Sequence, residues 1–135
     1  MAPIVTPVQT HADVPPRTTV AIIGGGIVGL SAALTLAERG VPVVVFEKGR
    51  VVGEQSSRNL GWIRKTNRSP QDAPLAIEAE KLWTSLAQRT GSNVGYQQAG
   101  IMFLADTEEQ LEANRQWLEA VKDLNIDSRL LTSED

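Results

Sequence analysis

Gly24, Gly26 and Gly29 stand in the spacing G-x-G-x-x-G, and Glu47 follows eighteen residues after the last of them. Each glycine has a mechanical task beside a phosphate group. The first permits a tight turn, the second lets main chain approach a pyrophosphate with no Cβ in the way, and the third lets a helix pack against a strand. A helix that starts in this turn, at Ile27 and Val28, directs unpaired N–H groups and partial positive charge at the phosphates. A carboxylate at Glu47 is placed to accept hydrogen bonds from a ribose 2′-hydroxyl. It would repel a 2′-phosphate, which disfavours NADP.

This chemistry needs a strand before the turn and a helix after it. The run from Val20 to Ala37 contains eighteen residues without a charge, long enough to raise the question of a membrane span. Three adjacent glycines inside it argue otherwise, because they would cost an exposed helix roughly 3 kcal/mol relative to alanine. Thr19 to Ile23 is short, apolar and β-branched, as in a strand buried on both faces. Ile27, Leu30, Ala33, Leu34 and Ala37 recur at helical spacing, and Glu38, Arg39 and Gly40 end that pattern. Val43 to Phe46 is a second β-type run ending at Glu47. The expected unit is therefore a βαβ motif with a parallel pair of strands. Glycine turns of this spacing also occur in unrelated α/β proteins. Here Ala33, Leu36, Gly40, Val43 and Glu47 also fall where the longer fingerprint requires them. The reading is a dinucleotide site, with FAD and NAD both compatible.

The bulk numbers exclude other classes. The 135 residues allow one domain with a modest core, and 13 basic against 16 acidic side chains give a net charge of −3, so no basic field points to nucleic acid. The absence of cysteine removes disulfides, thiolate nucleophiles and zinc fingers; no metal site is expected. Residues 1–18 hold four of the seven prolines (Pro3, Pro7, Pro15 and Pro16) and the single histidine, His11, and read as a flexible leader rather than a signal peptide.

The stretch GGGIVGLSAALTLAERGVPVVVFEK resembles the N-terminal FAD-binding unit of the flavoprotein family that includes D-amino acid oxidase, glycine oxidase and sarcosine oxidase. GEQSSRNLGWIR, Gly53 to Arg64, is similar to the segment that follows in bacterial members, and this narrower motif selects FAD. The resemblance implies that Ser56, Ser57, Arg58, Asn59, Gly61 and Trp62 pass close to the flavin and that Gly24, Gly26, Ile27, Val28, Gly29, Glu47 and Lys48 bind the cofactor. It also implies hydride transfer from a substrate α-carbon to flavin N5, leaving an imine that water hydrolyses. Read by themselves, Arg58, Arg64, Lys65 and Arg68 form a basic patch in an acid-free run from Gln55 to Gln71, suited to a pyrophosphate or to negative charge on a reduced flavin. Lys65 and Arg68 are expected to be solvated instead.

Beyond this, a helix is expected to open at Ser69-Pro70 and end near Gly91, with Leu75, Ala79, Leu82, Trp83 and Leu86 as its apolar stripe. YQQAGIMFLAD reads as two short strands meeting near Ala99-Gly100. Thr107 and Gln110 form a capping box for a third helix through Leu124, with Leu111, Leu118 and Val121 on its apolar face and Trp117 beside it. Ile126 to Leu131 suggests one more strand, and Thr132 to Asp135 the start of another helix.

The expected fold class is α/β, a Rossmann-like βαβ FAD-binding unit at 19–70 followed by a helical segment and the start of an α+β substrate domain at 71–135. Two strands do not make an open sheet, so the chain reads as an N-terminal piece, a processed subunit or one product of a split gene. By resemblance, the arginine or tyrosine that grips the substrate carboxylate would lie elsewhere, and no general base is assigned within the chain. The expected partners are the remaining part of the enzyme as a separate chain and a small amino-acid or amine substrate. Neither nucleic acid nor a membrane span is expected. The expected location is the cytoplasm, with peripheral membrane association as the alternative. The rival readings are an NAD-linked dehydrogenase, another flavoprotein such as a monooxygenase, and a non-catalytic nucleotide-binding subunit.

Overall fold

A computed structural model describes residues 4–132. Pro3 of the leader and the helix start expected at Ser133 to Asp135 lie outside the described residues. The chain divides into two compact units between Trp62 and Ile63. At the start of the second unit, Arg64 donates to the carbonyls of Thr66 and Asn67, and the Thr66 hydroxyl bonds the Ser128 hydroxyl at 2.7 Å.

In the first unit, β1 (Val20–Ile23) pairs in parallel with β2 (Val43–Phe46), in the register Val20 with Val43 through Ile23 with Phe46. Helix α1 (Ile27–Glu38) connects them and packs on both. The ladder continues past each end of the strands. Val20 N–H donates to the Pro42 carbonyl at 3.1 Å, and Gly24 N–H to the Phe46 carbonyl at 2.8 Å. Gly40, at φ 71°, turns the chain from α1 back into β2. The strands were expected to be buried on both faces, but α1 covers only one of them. Ile23 is 93% exposed, and burial along β1 alternates because successive side chains point to opposite faces.

In the second unit, α2 (Ala73–Thr90) starts three residues after Pro70, with Pro74 in its first turn, and ends at Gly91 with φ 63°. Trp83 is half-buried and stacks on Tyr96, ring centroids 6.4 Å apart, whereas Leu75 and Leu82 of the expected stripe are exposed. Lys65, expected in solvent, forms a half-buried ion pair with Glu80 at 2.5 Å, whereas Arg68 is exposed.

Helix α3 (Glu108–Ala120) is capped by the Thr107 hydroxyl, which accepts from Gln110 N–H at 3.2 Å. The Gln110 side chain reaches back to Asp106 N–H rather than to that of Thr107. The helix ends short of Leu124 because Val121, at φ −113° and ψ 7°, leaves helical geometry, and a 3-10 turn covers Lys122–Leu124. Val121 is buried, and Trp117 donates its indole N–H to the Arg68 carbonyl. The strands expected within Tyr96 to Asp106 and Ile126 to Leu131 do not form among the described residues. Among the described residues neither segment has a backbone ladder with a neighbour, and a strand exists only through its ladder. No helix among the described residues is long and apolar enough to cross a membrane.

Candidate cofactor site at the glycine turn

The site is built where β1 ends, α1 begins and the chain leaves β2. Gly24 takes φ 108°, a region closed to residues with a Cβ. Gly29 sits so close to the turn that an added Cβ would lie 2.1 Å from the Gly24 carbonyl oxygen, so the third glycine is what lets α1 start there. Gly26 is the N-cap of α1 in extended conformation, with no side chain of its own to cap the helix. Ser56 substitutes for one: its hydroxyl oxygen accepts from Ile27 N–H at 2.8 Å, and a Cβ on Gly26 would meet that oxygen at 3.1 Å. Val28 and Gly29 also belong to the first turn, whose N–H groups have no carbonyl one turn earlier.

Glu47, at the tip of β2, turns its carboxylate onto the glycine turn. Its Oε2 accepts from Gly25 N–H at 2.7 Å and its Oε1 from Gly49 N–H at 2.8 Å. These two bonds, with smaller help from the Lys48 charge, hold its carboxyl below the ordinary carboxylate range against the opposing effect of desolvation. Each oxygen keeps lone-pair capacity for a further donor. Lys48 itself pairs with Glu54 at 3.2 Å in an exposed bridge of little energetic weight.

Around these groups lies a cleft of about 390 Å³ lined by Gly24, Gly26, Glu47, Lys48 and Ser56 of the expected residues, together with Ile23, Phe46, Arg50, Val52, Gly53, Glu54 and Gln55. Ile27, Val28, Gly29, Ser57, Arg58, Asn59, Gly61 and Trp62 do not line it. The Ser57 hydroxyl donates to the Glu54 carbonyl, the Arg58 guanidinium to the Gly53 carbonyl, and the Asn59 amide to the Ser56 carbonyl. Asn59 also accepts from Gly61 N–H, forming an Asx turn that shapes the loop. Trp62 is exposed.

Gly25, Arg50 and Val52 were missed by sequence reasoning. The Gly25 N–H is held by Glu47 and its carbonyl by Val52 N–H at 2.8 Å, while Arg50 donates to the Val5 carbonyl. Only the basic character of Arg50 was a signal in the sequence. Among the described residues, no group of three or more acidic or imidazole side chains is arranged to hold a metal ion.

Glycine main chain, a helix N-terminus and a carboxylate thus meet at one cleft. A dinucleotide needs those three features for its pyrophosphate and ribose, so the residues present fit such a group. Known proteins identify the family. The chain is 35% identical to glycine oxidase of Geobacillus kaustophilus over 103 residues, covering 71% of this chain and 27% of that protein. It is 32% identical to the sarcosine oxidase subunit beta of an Arthrobacter species, covering 85% of this chain and 29% of the relative. Among solved structures, the L-amino acid deaminase of Proteus vulgaris superposes with a TM-score of 0.83 at 29% identity, covering 96% of this chain and 32% of that one. The chain therefore spans about a third or less of the length of these proteins. The family model described as FAD dependent oxidoreductase matches residues 19–135, from the residue before β1 onward, and the chain belongs to that family, with an α/β, Rossmann-like unit at its head.

Proposed function

We propose that this chain supplies the FAD-binding portion of an amino-acid or amine oxidoreductase, in which a substrate C–N bond is oxidised to an imine and the flavin, when bound, supplies the hydride acceptor. The observation that carries this reading is the meeting of the glycine turn, the α1 N-terminus and Glu47 at one cleft in a chain of this family.

The chain's own residues bind and orient the cofactor. Gly24 and Gly26 leave room for the pyrophosphate, and the first-turn N–H groups of Val28 and Gly29 offer it positive charge. The Ser56 oxygen is occupied by Ile27 N–H, which leaves its proton free to donate to a phosphate oxygen. Glu47 offers its remaining lone pairs to ribose hydroxyls, beside Lys48. Ser57, Arg58, Asn59, Gly61 and Trp62 form the loop assigned to the flavin side, which the cofactor approaches from the cleft. Residues 71–135 hold a helical segment and, from about Gly91 onward, the start of the substrate domain.

The sarcosine oxidase relative is named as one subunit of an enzyme, which supports a companion chain here. That chain would carry the groups that grip a small amino acid or amine, and the cytoplasm is the assigned compartment. The test is to purify the native assembly, measure its mass and visible spectrum, and add glycine, sarcosine or L-amino acids without oxygen. Bound FAD that is bleached by one of these substrates is the expected result. An assembly that carries nicotinamide and no flavin refutes the reading.

A further inference from the structure

The turn after β2 places Val52 at φ 52°, in the left-handed region that a β-branched residue rarely enters, because its Cβ crowds the neighbouring carbonyl. From that conformation its N–H reaches the Gly25 carbonyl at 2.8 Å. The Gly25 N–H is held in turn by Glu47 Oε2 at 2.7 Å, so both polar groups of the Gly25 main chain are tied. A trans peptide points its C=O and N–H in opposite directions, and no peptide bond among the described residues is cis. Holding the Gly25 carbonyl on Val52 therefore aims the Gly26 N–H the other way. Among the described residues that N–H has no hydrogen-bond acceptor, and Gly26 forms part of the cleft wall at the start of α1.

We propose that Val52 is a positioning residue for the cofactor: its main-chain N–H fixes the Gly25–Gly26 peptide in the orientation that offers the Gly26 N–H to a phosphate oxygen. The inference rests on the FAD-binding reading above. It assigns the function to the backbone of Val52, not to its isopropyl group. A residue at this place that cannot hold a positive φ withdraws the donor and frees the peptide to rotate.

The test uses the assembled holoprotein. Val52→Pro removes the N–H and sets φ near −65°, whereas Val52→Gly and Val52→Asn keep the N–H and accept the positive φ. Val52→Pro is expected to weaken FAD binding about tenfold or more, as loss of a structuring hydrogen bond implies, and to move the phosphorus NMR resonances of bound FAD. The Gly and Asn variants should keep the wild-type affinity and resonances. Reciprocity further requires that FAD slow amide exchange at Val52 in the wild-type protein, and this measurement decides alone if Val52→Pro does not fold. A folded Val52→Pro protein with wild-type affinity, loss of binding in Val52→Gly, or Val52 exchange indifferent to FAD each overturns the inference. A wild-type assembly that binds no FAD would overturn the cofactor reading instead.

Discussion

Replacing Gly29 by alanine adds a single carbon at the point where α1 leaves the glycine turn. That carbon would lie 2.1 Å from the Gly24 carbonyl oxygen and 3.2 Å from Ile22 Cγ2. Unstrained contacts begin at about 3.5 Å, so the helix and the turn must separate by about 1.4 Å. The obstacle is main chain, which has no rotamer to change. Overpacking costs about 1–3 kcal/mol, and a clash with backbone belongs at the upper end, about 3 kcal/mol. The same displacement moves the first-turn N–H groups away from Gly24 and Gly26, and every 1.4 kcal/mol lost there is about tenfold in FAD affinity. Urea unfolding of the assembled protein measures the first effect and flavin fluorescence titration the second. Gly40→Ala is the control: at φ 71° with open space around it, it should cost about 1–2 kcal/mol in strain and leave FAD affinity alone. If Gly29→Ala unfolds and binds FAD as the wild type does, the third glycine does not set the position of the helix.

Three further outcomes follow from the site. The Glu47 carboxyl is a stronger acid in the folded protein than when unfolded, so its stabilising contribution is complete above the ordinary carboxylate range and is lost as pH falls through the folded-state value. Glu47→Gln should lower the urea midpoint and FAD affinity at neutral pH and flatten the acid limb, and an acid limb identical to that of the wild type would remove Glu47 from the clamp. Ser56→Ala leaves Ile27 N–H without its acceptor and should cost about 1 kcal/mol in urea unfolding, whereas Ser56→Thr, which keeps the hydroxyl, should recover most of it. Gly26→Val puts a branched side chain against the Ser56 oxygen and into the cleft, so a folded, colourless protein is expected; stoichiometric flavin in its visible spectrum would show that the turn does not hold the cofactor.

The sequence by itself determined the elements whose causes are local. An apolar β-branched run, three glycines and a helical period place β1, α1 and β2 within a residue of where they stand, and chain order then puts Glu47 at the strand tip. Thr107 and Gly91 mark helix ends because a capping hydroxyl and a left-handed glycine act on their immediate neighbours. Tertiary structure decided whatever depends on a distant partner. The β-like segments before Thr107 and after Asn125 remain unpaired, since strand propensity names a candidate and only a neighbouring backbone makes a ladder. Lys65 reads as a solvated cation until Glu80, fifteen residues away, comes within 2.5 Å. The same holds at the site. The resemblance offers Arg58 and Asn59 to the flavin, while the path of the loop after β2 sets both on carbonyls of their own turn and brings Arg50 and Val52 to the cleft. A valine at positive φ runs against its own local preference. Two bonds hold that conformation, the turn bond from Gly53 N–H to the Arg50 carbonyl and the bond from the Val52 N–H to Gly25, twenty-seven residues earlier, and no local pattern encodes a bond of the second kind.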